Sequence, residues 1–169
     1  GAPRGRTPVA LLASLGVLTA RPLLIHCVRA DGEDVATIAR TGCAVAHCPA
    51  SNAKLGHGIA PLAELLGAHV TVGLGTDSVA SNNRMDLLDE ARLAVLMQRA
   101  RELSPTVLSP SAAWELATLG GARALGIAHE VGSLEVGKSA DLAAFSLDGR
   151  GPVTDPEAAL FALAGAPAI

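Results

Sequence analysis

Aromatic side chains are nearly absent: 169 residues hold two Phe, one Trp and no Tyr. With Ala, Leu, Val and Gly dominating instead, a core has to be built from close-packed aliphatic layers, as barrel interiors often are. Cysteine is also scarce. Cys27, Cys43 and Cys48 are an odd number set in apolar stretches, which excludes a disulfide-stapled scaffold. Cys43 and Cys48 fall on opposite faces of a strand-like segment, which argues for small core residues rather than a shared metal. The start shows no charged n-region followed by an apolar h-region, so the thiols read as reduced and the protein as cytoplasmic. No apolar run approaches the roughly 18 to 20 residues that cross a bilayer, and no membrane partner is expected. The 13 Lys and Arg are scattered and the net charge is −3, so there is no phosphate-tracking face and nucleic acid is set aside. What remains is the composition of a globular domain, half hydrophobic and 17% charged.

Thr7 to Leu18 carries the helical spacing of Val9, Leu12 and Leu15, and after a turn the run Leu23-Leu24-Ile25 leads into His26-Cys27-Val28. Asp31 is placed to cap a helix with Val35, Ile38 and Ala39 on one face, closed by Gly42. Cys43 to His47 reads as a second buried strand. A loop rich in turn formers, Cys48 to Gly58, precedes a helix from about Ile59 to Leu66, with Pro61 in its first turn. Val70 to Leu74 is a third buried strand, ending in Gly75-Thr76-Asp77-Ser78, and Asp86 to Glu102 is a long helix with Ser81-Asn82 as its cap. Pro110 to Leu125 reads as a helix interrupted at Gly120-Gly121. From about Ile127 the texture turns to short strands and glycine turns over Val131 to Lys138, then an apolar strand from Ala140 to Leu147. The organisation predicted is a unit over 1–126 and a β-rich segment over 127–169.

Three strand-then-helix units, each strand apolar throughout, predict a parallel sheet covered on both faces. His26, His47 and Asp77 each stand at or just past the C-terminal end of a strand. Both barrels and open α/β sheets bind ligands there, so these three are the candidates for a site.

Four motifs then carry a resemblance: His26-Cys27-Val28; Ala46-His47-Cys48-Pro49-Ala50-Ser51-Asn52 with Lys54-Leu55-Gly56; Leu74-Gly75-Thr76-Asp77 with Ala80-Ser81-Asn82-Asn83; and Gly132-Ser133-Leu134-Glu135-Val136-Gly137-Lys138 running to Asp141-Leu142. In this order they closely resemble the amidohydrolase superfamily, in its branch of methylthioadenosine/S-adenosylhomocysteine deaminases and chloro-triazine hydrolases. The resemblance covers nearly the whole chain. It implies a (β/α)8 TIM barrel with one divalent metal, usually zinc or iron, at its mouth. This chain would supply strands 6 to 8 and, over 127–169, the return segment to a small β-sandwich.

By that resemblance Asp77 is the last-strand aspartate, a metal ligand that also takes the proton from the attacking water. His26 is the sixth-strand histidine, which polarises the reacting group and touches substrate. The chemistry is physically coherent. A divalent cation lowers the pKa of bound water to about 7, a carboxylate touching both can accept its proton, and an imidazole opposite can stabilise developing charge. His57, between glycines over the mouth, is a further substrate-binding candidate. Each has a plainer alternative: a helix cap for Asp77, a hydrogen-bonded core residue for His26 and His47, an exposed loop residue for His57. His69 and His129 read as surface residues. Ser51, Asn52 and Lys54 read as shaping their loop, and Glu90 and Arg92 as a salt bridge.

The same family uses a first-strand His-x-His pair, a fifth-strand histidine and a nearby glutamate, and none of them is found here. One carboxylate and one histidine cannot hold a catalytic metal, which takes three or more protein ligands. The expectation is therefore a C-terminal part that is inert alone and works with a missing N-terminal half, in an enzyme that pairs with a second copy. Its substrate would be a small molecule: an adenosine-type nucleoside such as methylthioadenosine, S-adenosylhomocysteine or aminodeoxyfutalosine, with a chloro-triazine, guanine or cyclic amide as the second choice. A non-catalytic module is disfavoured by the retention of both His26 and Asp77. A nucleotide-binding sheet is disfavoured because Gly56-x-Gly58 follows a loop, not a strand.

Overall fold

The computed structural model describes residues 5–148, 159–163 and 165. Its centre is a parallel three-stranded sheet in the order β1 (Leu23–Ile25), β2 (Ala44–His47), β3 (Val72–Leu74). Leu24 is level with Val45, and Val45 with Val72, so consecutive strands are also neighbours in space. Among the described residues the outer edges of β1 and β3 have no strand partner.

Local signals set most of the helices. In α1 (Pro8–Ser14) the Thr7 hydroxyl accepts from Ala10 N, and in α2 (Gly32–Thr41) Asp31 and Asp34 form a reciprocal capping box with Gly42 closing the far end in the left-handed region. Thr7 Oγ1 also donates to Asp34 Oδ1 at 2.5 Å, fastening α1 onto α2. A 3-10 turn, Val17–Ala20, lies between α1 and β1. The 16-residue helix α6 (Leu87–Glu102) starts at Asp86, whose carboxylate accepts from Leu88 N and Asp89 N. The cap is thus Asp86 itself rather than Ser81-Asn82, which belong to a separate turn of helix, α5 (Val79–Asn82). Two shorter helices flank β2 and β3: α3 (Pro49–Lys54) and α4 (Leu62–Gly67). The turn formers after Cys48 had read as loop, but Pro49 occupies the first helical position, where its missing N–H costs nothing.

The core is aliphatic, as the lack of rings requires: Ile38, Val45, Leu62, Leu65, Ala91, Ala94 and Val95 are all essentially inaccessible. Each larger side chain among them contributes about 1.5–3 kcal/mol on burial. The segment α7 (Pro110–Glu115), a π-helical turn (Leu116–Gly120) and α8 (Gly121–Ala124) runs on as one helix, so Gly120-Gly121 is not an interruption. These glycines let the helix press on β3. A Cβ on Gly73 would sit 2.6 Å from Gly121 Cα, and one on Gly120 would sit 2.6 Å from Val72 O.

The β-rich reading beyond Ile127 is not met among the described residues. Residues 127–148 form turns and unpaired chain, with Leu134, Val136 and Leu142 exposed. A strand exists only through its ladder, and among the described residues no partner strand pairs with this segment. The short helix α9 (Ala159–Leu163) packs against α6, and the rest of 149–169 lies outside the described residues apart from residue 165.

Candidate active site

The sheet delivers its polar residues to one end. His26 follows β1, His47 closes β2 and Asp77 lies three residues past β3. β1 and β3 are separated by the whole of β2, about 10 Å across two strand spacings. Even so, His26 Nε2 and Asp77 Oδ2 approach to 3.8 Å. Both residues leave their strands in the left-handed region, His26 at φ 69° and Asp77 at φ 58°, with Cys27 at φ 48°. Such backbone is costly for residues with a Cβ and survives only where the surroundings enforce it, a pattern that concentrates at functional sites. Here it turns both side chains over the end of β2.

Asp77 is held as an anion. Its Oδ2 accepts from Ser51 Oγ at 2.6 Å and from Ser81 Oγ at 2.8 Å. Those bonds, with that from the Ser78 backbone, bring its carboxyl down to about 2. Among the described residues both side-chain donors fall on Oδ2, and the side chain is 28% exposed, so Oδ1 is the less committed oxygen. His26 is 34% exposed, and 3.8 Å is too long for a hydrogen bond, so the pair leaves space between them rather than closing on each other.

The serines are themselves anchored by Glu90, a residue with 1% exposure. Glu90 Oε2 accepts from Ala50 N at 3.0 Å and Oε1 from Asn82 Nδ2 at 2.6 Å, while Asn82 Nδ2 also donates to Thr76 O at 2.7 Å. Burial pushes the Glu90 carboxyl up. The expected Glu90–Arg92 bridge does not form, because Glu90 points inward and Arg92 pairs with Asp89 at 3.3 Å. Lys54 Nζ donates to Asn83 Oδ1 and to Ala80 O, tying α3 to α5 a second time.

His47 is not available to a ligand in the same way. It is 2% exposed, and burial, with His26 nearby, lowers its pKa to about 4, so it is neutral at pH 7. Neither ring nitrogen has a hydrogen-bond partner among the described residues. Cys27 and Cys48 are pushed up to about 11, chiefly by burial, and stay protonated thiols. His57 is exposed and lines, with His26, Cys27 and β1, a cavity of about 570 Å³ along the open β1 edge. His69 and His129 lie at the surface.

Among the described residues no three His, Cys, Asp or Glu side chains gather to hold a metal. Asp77 alone suits one: it is anionic, solvent-reachable and has one less committed oxygen. Sequence reading missed the roles of Ser51, Ser81, Asn82 and Glu90. Only the serines' place in motifs shared with a known family hinted at them, since nothing in the sequence spacing links 51 to 77.

A histidine and a carboxylate gathered at the C-terminal ends of a parallel sheet define the class: an α/β fold with its candidate site at the strand ends. The Amidohydrolase family profile matches residues 5–169, and the chain belongs to that family. It is 48% identical over 138 residues to the 5-methylthioadenosine/S-adenosylhomocysteine deaminase of Moorella thermoacetica, covering 82% of this chain and 32% of that protein. It is 45% identical over 139 residues to the deaminase of the same name from Thermococcus onnurineus, again covering 82% of this chain and 32% of that protein. Its fold is similar to a zinc-bound adenosine deaminase from Xanthomonas campestris, with TM-score 0.88 and 37% identity over 93% of this chain and 36% of that one. It is also similar to the zinc-complexed atrazine chlorohydrolase of Arthrobacter aurescens, with TM-score 0.85 and 38% identity over 93% of this chain and 35% of that one. The chain therefore spans about a third of the length of the curated relatives it matches.

Proposed function

We propose that the chain is the C-terminal portion of a metal-dependent hydrolase that deaminates an adenosine-type nucleoside such as methylthioadenosine, S-adenosylhomocysteine or aminodeoxyfutalosine. In this reading β1, β2 and β3 are strands 6, 7 and 8 of a TIM barrel, residues 1–126 complete its C-terminal part, and 127–169 lead back to a small β-sandwich. Because these residues amount to a third of such an enzyme, the remaining metal ligands come from residues outside them, and the open edges of β1 and β3 are where the rest of the barrel pairs.

The observation that carries the reading is the Asp77 carboxylate, kept ionised by two serines with one oxygen less committed, 3.8 Å from His26. Asp77 would be a ligand of a single divalent cation, zinc first and iron second. Such a cation, when bound, makes the attacking water acidic near neutral pH. The Asp77 carboxylate accepts the water's proton as the oxygen adds to the amine-bearing ring carbon, and its weak hold on a proton favours passing it on toward the departing ammonia. His26 Nε2 faces the charge that develops on the ring, and His57, which lines the same cavity, contacts the remainder of the substrate.

A second reading, hydrolysis of another ring such as a chloro-triazine, guanine or a cyclic amide, is supported by the likeness of fold to the atrazine chlorohydrolase, with TM-score 0.85. A panel of methylthioadenosine, S-adenosylhomocysteine, adenosine, atrazine and guanine, assayed on the complete enzyme, separates the two. Turnover of the nucleosides, lost about 10²- to 10⁴-fold in Asp77→Asn, is the expected result. Turnover of atrazine alone would install the second reading. No turnover of any ring, with no metal bound, would mean a non-catalytic module.

A further inference from the structure

We infer that Glu90 is a positioning residue for the site: it sets the two serines that aim Asp77, although it touches neither Asp77 nor the space where substrate would lie. The inference rests on the reading of Asp77 as proton acceptor and metal ligand.

The connections run through the backbone neighbours of the site residues. Glu90 Oε2 holds the N–H of Ala50, the residue before Ser51. Glu90 Oε1 holds the amide of Asn82, the residue after Ser81, and that same amide nitrogen grips the carbonyl of Thr76, the residue before Asp77. One buried carboxylate therefore fixes α3, α5 and the β3–α5 turn, the three segments that contribute Ser51, Ser81 and Asp77.

Donor and acceptor roles leave no freedom. The Ala50 N–H can only donate, and Asn82 must present its NH₂ group to Thr76 O and so to Glu90 as well. The side chain at 90 has to accept on both of its terminal atoms, which a carboxylate does and a carboxamide cannot. Among the described residues no cation pairs with Glu90, so an ordinary salt bridge does not account for a carboxylate buried at this position. Its place in the first turn of α6 supplies part of the compensation through the helix dipole.

The test is a double-mutant cycle in the complete enzyme, read by zinc affinity in chelator competition and by kcat and KM with methylthioadenosine. Glu90→Gln keeps the volume and removes one acceptor. It is expected to lower zinc affinity and kcat about 10- to 100-fold, with KM little changed. In a Ser51→Ala/Ser81→Ala background the same substitution should change both quantities clearly less than in the wild type, because only the route through Asn82 to Thr76 then remains. Asn82→Ala cuts the same link at its other end and should repeat the pattern should Glu90→Gln fold poorly. Gln98→Ala is the control: Gln98 is buried on the same helix and bonded to Ala60 O and Ala63 N, so its loss should lower thermal stability with zinc affinity and kcat unchanged.

An undiminished effect of Glu90→Gln without the serines, or an equal loss of zinc affinity from Gln98→Ala, would overturn the positioning role and make Glu90 a stabiliser of the fold. If Asp77→Asn leaves zinc affinity intact, the reading of the site itself has failed and the inference falls with it. If Asp77→Asn abolishes zinc binding while Glu90→Gln and Asn82→Ala do nothing, the inference alone has failed.

Discussion

The two sides of the site are built differently. On the β3 side Asp77 sits in a closed web in which Ser51, Ser81, Asn82 and Glu90 each find hydrogen-bond partners within this chain. On the β1 side His26 stands at an open sheet edge beside a cavity of about 570 Å³, and its Nδ1 is buried with no partner among the described residues. The difference teaches that this chain closes the hydrogen-bond network around one of the two candidate residues and leaves the other at an open edge. A carboxylate aimed by neighbours in its own chain can keep its orientation unaided. A histidine at an unpaired edge takes its final orientation from whatever covers that edge.

That contrast can be broken by experiment. The largest effect is expected from His26→Ala, which should lower turnover in the complete enzyme about 10²-fold while leaving zinc bound, as judged by metal analysis. Equal loss of metal would place His26 among the ligands and erase the contrast. Next comes His47, which belongs to neither half. Its folded pKa of about 4 lies below the unfolded 6.5, so the unfolded state binds its proton first. The stability it confers is complete above pH 6.5 and drains as the pH falls toward 4, by about 3 kcal/mol in all. Urea midpoints measured across that window should fall, and should fall less in His47→Gln. The smallest effect separates the two serines. Ser51→Ala removes a fully buried donor and should cost about 1–3 kcal/mol, whereas the more accessible Ser81 should cost less than about 1 kcal/mol. Equal losses in thermal melts would show that the web is not graded by burial.

Much of the frame was legible because its signals are local. Asp31 and Gly42 bracket α2, Asp86 starts α6, and three apolar runs became three parallel strands. His26 and Asp77 were legible as candidates because strand ends are where such folds bind ligands, and the family motifs agreed. The partners of Asp77 were not. Ser51 is 26 residues away from it and reads in isolation as part of a turn-rich loop, and Glu90 reads as a salt-bridge partner of Arg92. Only packing shows that α6 turns Glu90 inward while Arg92 turns to Asp89. Among the described residues Ala140 to Leu147 forms no strand: its composition favours one, but a ladder needs a second strand, and residue preference cannot supply one.

By itself, then, the sequence determined the aliphatic core, the alternation of strand and helix, the caps and the placement of two candidate side chains at strand ends, because each depends on residues near in the chain or on composition. The tertiary structure alone decided that His26 and Asp77 meet across β2, that two serines and a buried glutamate aim the carboxylate, and that Gly73 and Gly121 close on each other. Those are contacts between segments tens of residues apart. They depend on register, backbone handedness and burial, quantities that exist only once the chain has folded back on itself.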